Sequence, residues 1–129
     1  MNTTDTHHIA FLGFNQIQLL DLIGPLEAFN AVNNISGNTV YKTVIISQHE
    51  SFTSDSKVRV LSDYLLSDYQ RVDQIHIDTL IIAGGSGSRN PEVYQPINAW
   101  LADHFDAIER VVTVCTGAFI MGNHPYLVG

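Results

Sequence analysis

Four apolar runs, at residues 8–14, 40–47, 79–83 and 110–114, are too short for a helix and too continuous for a strand with one wet face. Such runs are strands buried on both faces, and a sheet covered on both faces needs helices between its strands. The intervening residues supply them. Leu19, Leu22, Ile23, Leu26, Phe29 and Val32 recur at three- and four-residue steps and predict a helix despite Gly24-Pro25. Pro25 is expected in its first turn, where a missing N–H costs nothing. Val93, Ile97, Trp100, Leu101 and His104 or Phe105 predict a second helix over 91–105, and residues from Thr116 to Met121 begin a third. Strands alternating with helices imply an α/β fold on a mostly parallel sheet. Between residues 48 and 78 the pattern is weaker, and two short alternating pieces around Phe52 and 58–61 predict a small hairpin.

With 129 residues, 45% of them apolar, the chain suits one compact domain over 1–129. No apolar run approaches the roughly 18 to 20 residues that cross a bilayer, and the N-terminus lacks the basic and apolar regions of a signal peptide, so no membrane partner and a cytoplasmic location are expected. A formal charge of −7 argues against unaided binding to a phosphate backbone. The single cysteine excludes an intramolecular disulfide.

The chemistry centres on that cysteine. In Val111-Val112-Thr113-Val114-Cys115-Thr116-Gly117-Ala118-Phe119 a buried strand runs into Cys115, then small residues, then a helix pattern. A sharp strand-to-helix turn needs small neighbours and projects its side chain beyond the strand end, where ligands of open α/β sheets bind. The alternative, a small buried hydrophobe, fits the residue type but not its position. Gly84-Gly85-Ser86-Gly87 also follows a strand, so its N–H groups open on the same rim, and Gly85 with Thr116 are candidate oxyanion donors. The stretch lacks the last glycine of a dinucleotide fingerprint and the GK[ST] ending of a P-loop, and no cofactor is implied. Asp21 and Glu27 flank Gly24-Pro25 near the same rim, and either can face the thiol. A protonated carboxyl would donate to a thiolate, whereas an ionised one would oppose it. Helix capping is the competing role for Asp21. No histidine is placed for a Cys-His pair, and no metal site is assigned.

Leu20-Asp21-Leu22-Ile23-Gly24-Pro25-Leu26-Glu27-Ala28-Phe29, Asp78-Thr79-Leu80-Ile81-Ile82-Ala83-Gly84-Gly85 and Val114-Cys115-Thr116-Gly117-Ala118-Phe119 together resemble the DJ-1/PfpI, or class I glutamine amidotransferase-like, superfamily. The wording is most similar to the N-terminal domain of AraC-type transcription regulators, and next to the isonitrile hydratases. The resemblance implies a flavodoxin-like three-layer sandwich, often a homodimer, with Cys115 on a nucleophile elbow and Asp21 as its acidic neighbour. Gly84, Gly85, Thr116, Gly117 and Glu27 complete the implied ligand-binding set. In a regulator the pocket would sense a small molecule without turnover. In a hydratase or amidase the Cys115 thiolate would attack the substrate and Asp21 would move the proton.

The resemblance fades after Met121-Gly122, where Asn123-His124-Pro125 replaces the family's helix end and its later Thr-His-Trp segment. Pro125 is expected to interrupt the elbow helix. The expectation is therefore a truncated domain that lacks its last elements and a helix-turn-helix DNA-binding half.

Overall fold

The computed structural model describes residues 6–70 and 76–122. Strand β1 (His7–Gly13) leads into helix α1 (Leu19–Ser36) and strand β2 (Tyr41–Ser47). Strands β3 (Ser51–Thr53) and β4 (Arg59–Leu61) form an antiparallel hairpin apart from the main sheet, as the weak alternation there predicts. A two-residue strand β5 (Tyr64–Leu65) follows, then β6 (Thr79–Ile82), α2 (Pro91–His104), β7 (Arg110–Thr113) and α3 (Ala118–Gly122). His124 and the expected break at Pro125 lie outside the described residues.

The five strands of the main sheet run parallel in the order β5-β2-β1-β6-β7. The step from β1 to β2 moves one way across the sheet, and the step from β6 to β7 moves the other. Right-handed crossovers therefore place α1 and α2 on opposite faces, which gives three layers and a switch point between β1 and β6. Ile9, Ala10, Phe11 and Leu12 of β1 are all buried, as are all four residues of β6, so the central strands are covered on both sides. Phe11, Leu12, Leu22, Ile46, Leu80, Ile82, Leu101 and Ile120 are fully buried.

Local chemistry fixes the element ends. Gly37 closes α1 at φ 73°, a left-handed position suited to glycine, and returns its N–H to the Asn33 carbonyl at 3.0 Å. Asn33 Oδ1 accepts the Val40 and Tyr41 N–H groups, and its Nδ2 donates to the Tyr41 carbonyl, so one side chain ties the end of α1 to the start of β2. Asn90 caps α2 through the Glu92 N–H, with Pro91 at the first helical position.

Pro25 departs from expectation. The helix begins at Leu19, so Pro25 lies inside it rather than in its first turn and has no N–H for the carbonyl four residues back, at Asp21. The apolar periodicity located the helix but not its starting turn, because Gln18 makes no side-chain cap that would mark it.

Candidate functional site

Three strand ends converge on one rim. After β1 the segment 14–18 turns toward α1, with Gln16 at φ 64°. After β6 come Ala83, Gly84 and Gly85, and after β7 come Val114 and Cys115. The Val114 N–H bonds to the Ile82 carbonyl at 2.8 Å, so β7 stays in register with β6 to its last residue. Gly117 then packs against the Ile82 and Ala83 carbonyls, where a Cβ has no room. That close approach and the Gly117 N–H bond to the Val114 carbonyl, at 2.9 Å, force the chain to reverse within three residues. Cys115 takes the strain, at φ 52° in the left-handed region, with its side chain exposed. This is the elbow that the sequence predicts.

The neighbouring glycines make room for what surrounds the thiol. A Cβ on Gly84 would stand 2.7 Å from Thr116 Oγ1 and 3.1 Å from Asp21 Oδ2. Its absence lets the Gly84 N–H donate to Asp21 Oδ2 at 3.3 Å, while the Gly85 N–H donates to Thr116 Oγ1 at 2.9 Å. Gly85 lies at φ 131° against the backbone of Gln16, Ile17 and Gln18, which no residue with a Cβ matches. The Gln18 N–H bonds to the Gly84 carbonyl at 2.7 Å and fixes the start of α1 to the glycine loop. Asp21 therefore reaches across to β6 from the first turn of α1 and does not cap that helix.

Beside Cys115 opens a cleft of about 480 Å³, whose walls include Asp21, Gly85 and Thr116. Of the remaining sequence candidates, Gly84 and Gly117 act as spacers behind this surface. Glu27 is exposed on α1 and is not among the cleft's walls.

Gln18, Asp55, Ser86 and Arg89 also line the cleft and were not predicted. Asp55 comes from the hairpin tip, where its Oδ1 accepts the Ser86 hydroxyl at 2.7 Å and its Oδ2 the Ser86 N–H at 3.2 Å. Those two bonds hold the Asp55 carboxyl below its ordinary range, so it is ionised at neutral pH. The hairpin is further fixed by the Gln16 N–H to the Thr53 carbonyl, at 2.7 Å, and the Asp55 N–H to the Ile17 carbonyl, at 3.0 Å. Arg89 lays its guanidinium over the Phe119 ring, 4.5 Å from the centroid. Ser86 and Arg89 lie within a glycine-rich stretch visible in the sequence. The docking of Asp55 onto it spans 31 residues and leaves no local signal.

The described histidines lie elsewhere. His7 and His76 gather around Asp78, and His104 stacks on Trp100 with its ring nitrogens facing the Trp100 and Tyr69 carbonyls. Among the described residues, no three His, Cys, Asp or Glu side chains converge as metal ligands. No helix there is long and apolar enough to cross a membrane.

A model of the DJ-1/PfpI family matches residues 7–129. A Streptomyces lividans relative, described as an uncharacterized protein in the cpoL 5′ region, is 30% identical over 128 residues, which is 98% of this chain and 86% of the relative. Among solved structures, an AraC family transcriptional regulator from Pseudomonas putida matches with a TM-score of 0.75 at 15% identity, over 94% of this chain and 62% of that one. Oxidized DJ-1 from Toxoplasma gondii gives a TM-score of 0.71 at 15% identity, over 93% of this chain and 62% of that one. The chain thus spans less than two thirds of these solved chains, and at such identities their likeness establishes the flavodoxin-like fold. With the family model spanning the elbow, the glycine loop and the first helix, the chain belongs to the DJ-1/PfpI family.

Proposed function

We propose that this chain is the small-molecule-sensing domain of an AraC-type transcription regulator, with the cleft beside Cys115 as its ligand site. One observation carries the preference for sensing over turnover. The Gly85 N–H, one of the two candidate oxyanion donors, is already engaged by Thr116 Oγ1, as the neighbouring Gly84 N–H is by Asp21. The acidic charge of −7 keeps this domain off DNA, so in this reading operator contact belongs to a separate helix-turn-helix unit. A homodimer in the cytoplasm is the working assembly.

The strained elbow favours a second reading, a cysteine enzyme of the isonitrile hydratase or amidase kind, because backbone strain of this sort collects at reactive side chains. The thiolate would add to the isonitrile carbon, Asp21 would pass a proton to that carbon, and water would release the N-substituted formamide and regenerate the thiol. Incubation with n-butyl isonitrile separates the two readings. The sensor reading expects no N-butylformamide above the level given by Cys115→Ser, whereas formamide production that the substitution abolishes establishes the enzyme and removes the sensor reading.

A further inference from the structure

The walls of the cleft carry an unusual set of charges. Arg89, Asp55 and Asp21 all line it. No carboxylate among the described residues comes within 4.0 Å of the Arg89 guanidinium, although the chain holds thirteen acidic residues against six basic ones. Its position over Phe119 holds it in place without neutralising it, and a guanidinium presents paired donors matched to a carboxylate. Asp55 is ionised and accepts two bonds from Ser86, which leaves lone pairs free for a further donor. An anion alone would meet repulsion from Asp21 and Asp55, and a cation alone would meet it from Arg89. A molecule with both charges satisfies both.

We infer that the cleft selects a small ampholyte of the amino-acid kind, with its carboxylate on Arg89, its ammonium toward Asp55 and its remaining body over Cys115. The inference rests on the reading of this cleft as a ligand site. Arg89 and Asp55 are then the residues that set specificity, while Ser86 only positions Asp55.

The test uses iodoacetamide alkylation of Cys115, followed by intact mass, with each of the twenty L-amino acids as protectant. Every amino acid is compared with its decarboxylated amine, its deaminated acid and its neutral N-acetyl amide. At least one amino acid should slow alkylation, with its amine and its acid each about tenfold less effective, as expected for the loss of one charged hydrogen-bonded contact. Arg89→Gln should erase the advantage of the amino acid over the amine, and Asp55→Asn its advantage over the acid. Ser86→Ala, which leaves both charges but removes the hydroxyl bond that positions Asp55, should weaken the advantage over the acid without erasing it and leave the advantage over the amine. If singly charged or neutral compounds protect as well as the amino acids, the ampholyte inference is overturned while the cleft remains a ligand site. If no compound of any class protects Cys115, the inference and the ligand-site reading both fall.

Discussion

Cys115 occupies left-handed backbone, which costs a residue with a Cβ about 1 to 2 kcal/mol. Gly117 imposes this by pressing its Cα onto the end of β6, so the strain belongs to the turn and not to the thiol. Removing the side chain to Cβ should therefore leave the strain, and removing Cβ should release it. Cys115→Gly is expected to be about 1 kcal/mol more stable than Cys115→Ala in urea unfolding, the reverse of the usual order for these two residues. Equal stabilities, or the usual order, would show that the elbow is unstrained. Cys115, Asp21, Gly85 and Thr116 were legible in the sequence because each follows a strand end or opens a helix, where short-range pattern suffices. Glu27 was misleading for a reason that helix geometry explains. It stands six residues from Asp21, about 120° around a helix with 3.6 residues per turn, so the two carboxylates cannot share a direction. Arg89 and Asp55 carried no such signal, since their importance arises only when a hairpin tip meets a loop far along the chain.

At the opposite end of the sheet a single residue, Asp78, links three strands through its backbone and its carboxylate. Asp78 Oδ2 accepts the His8 N–H at 2.8 Å, the Asp78 N–H donates to the His8 carbonyl at 2.9 Å, and the Asp78 carbonyl accepts the Arg110 N–H at 3.0 Å. His76 Nε2 lies 2.5 Å from Asp78 Oδ1. Burial pushes the Asp78 carboxyl up, but the His8 N–H, the His76 hydrogen bond and the nearby His76 and His7 rings outweigh it and hold the carboxyl below its ordinary 3.8. A carboxyl with a folded pKa below its unfolded one stabilises the fold above the unfolded value, and that stability is lost as pH falls through the folded value. Asp78→Asn should thus lower the urea midpoint at pH 7, and the gap from wild type should shrink as pH drops below about 4. A gap that stays constant from pH 7 to pH 2 would assign the loss to shape and not to charge. At this scale the sequence placed the four main strands and both long helices, because buried runs and helical spacing are properties of neighbouring residues. It missed β5, a two-residue edge strand whose register depends only on pairing with Ile46 and Ser47.

Over the whole molecule, α1 stands out because little of it is buried. Leu22 is its one fully buried residue, whereas Leu20 is 73% and Ile35 88% exposed. Leu20, Gly24, Ala28, Ala31 and Ile35 follow one another at spacings of four, four, three and four residues, and all five are exposed, so they form a single apolar stripe of mostly small side chains. A stripe of that kind lets a second helix approach closely, and a surface helix that is otherwise so apolar loses exposed area when paired. The proposed homodimer is accordingly expected to pack α1 against α1 of a second copy. Edge strand β7, with Val112 partly exposed, offers the competing route by strand addition. Sedimentation velocity distinguishes the two. Ala28→Glu, at the centre of the stripe, should convert dimer to monomer without loss of the cooperative thermal transition, since Ala28 is exposed. Val112→Lys should leave the dimer intact. Dissociation by Val112→Lys and not by Ala28→Glu would move the interface to the sheet edge, and a wild-type chain that sediments as a monomer at every concentration would remove the dimer altogether.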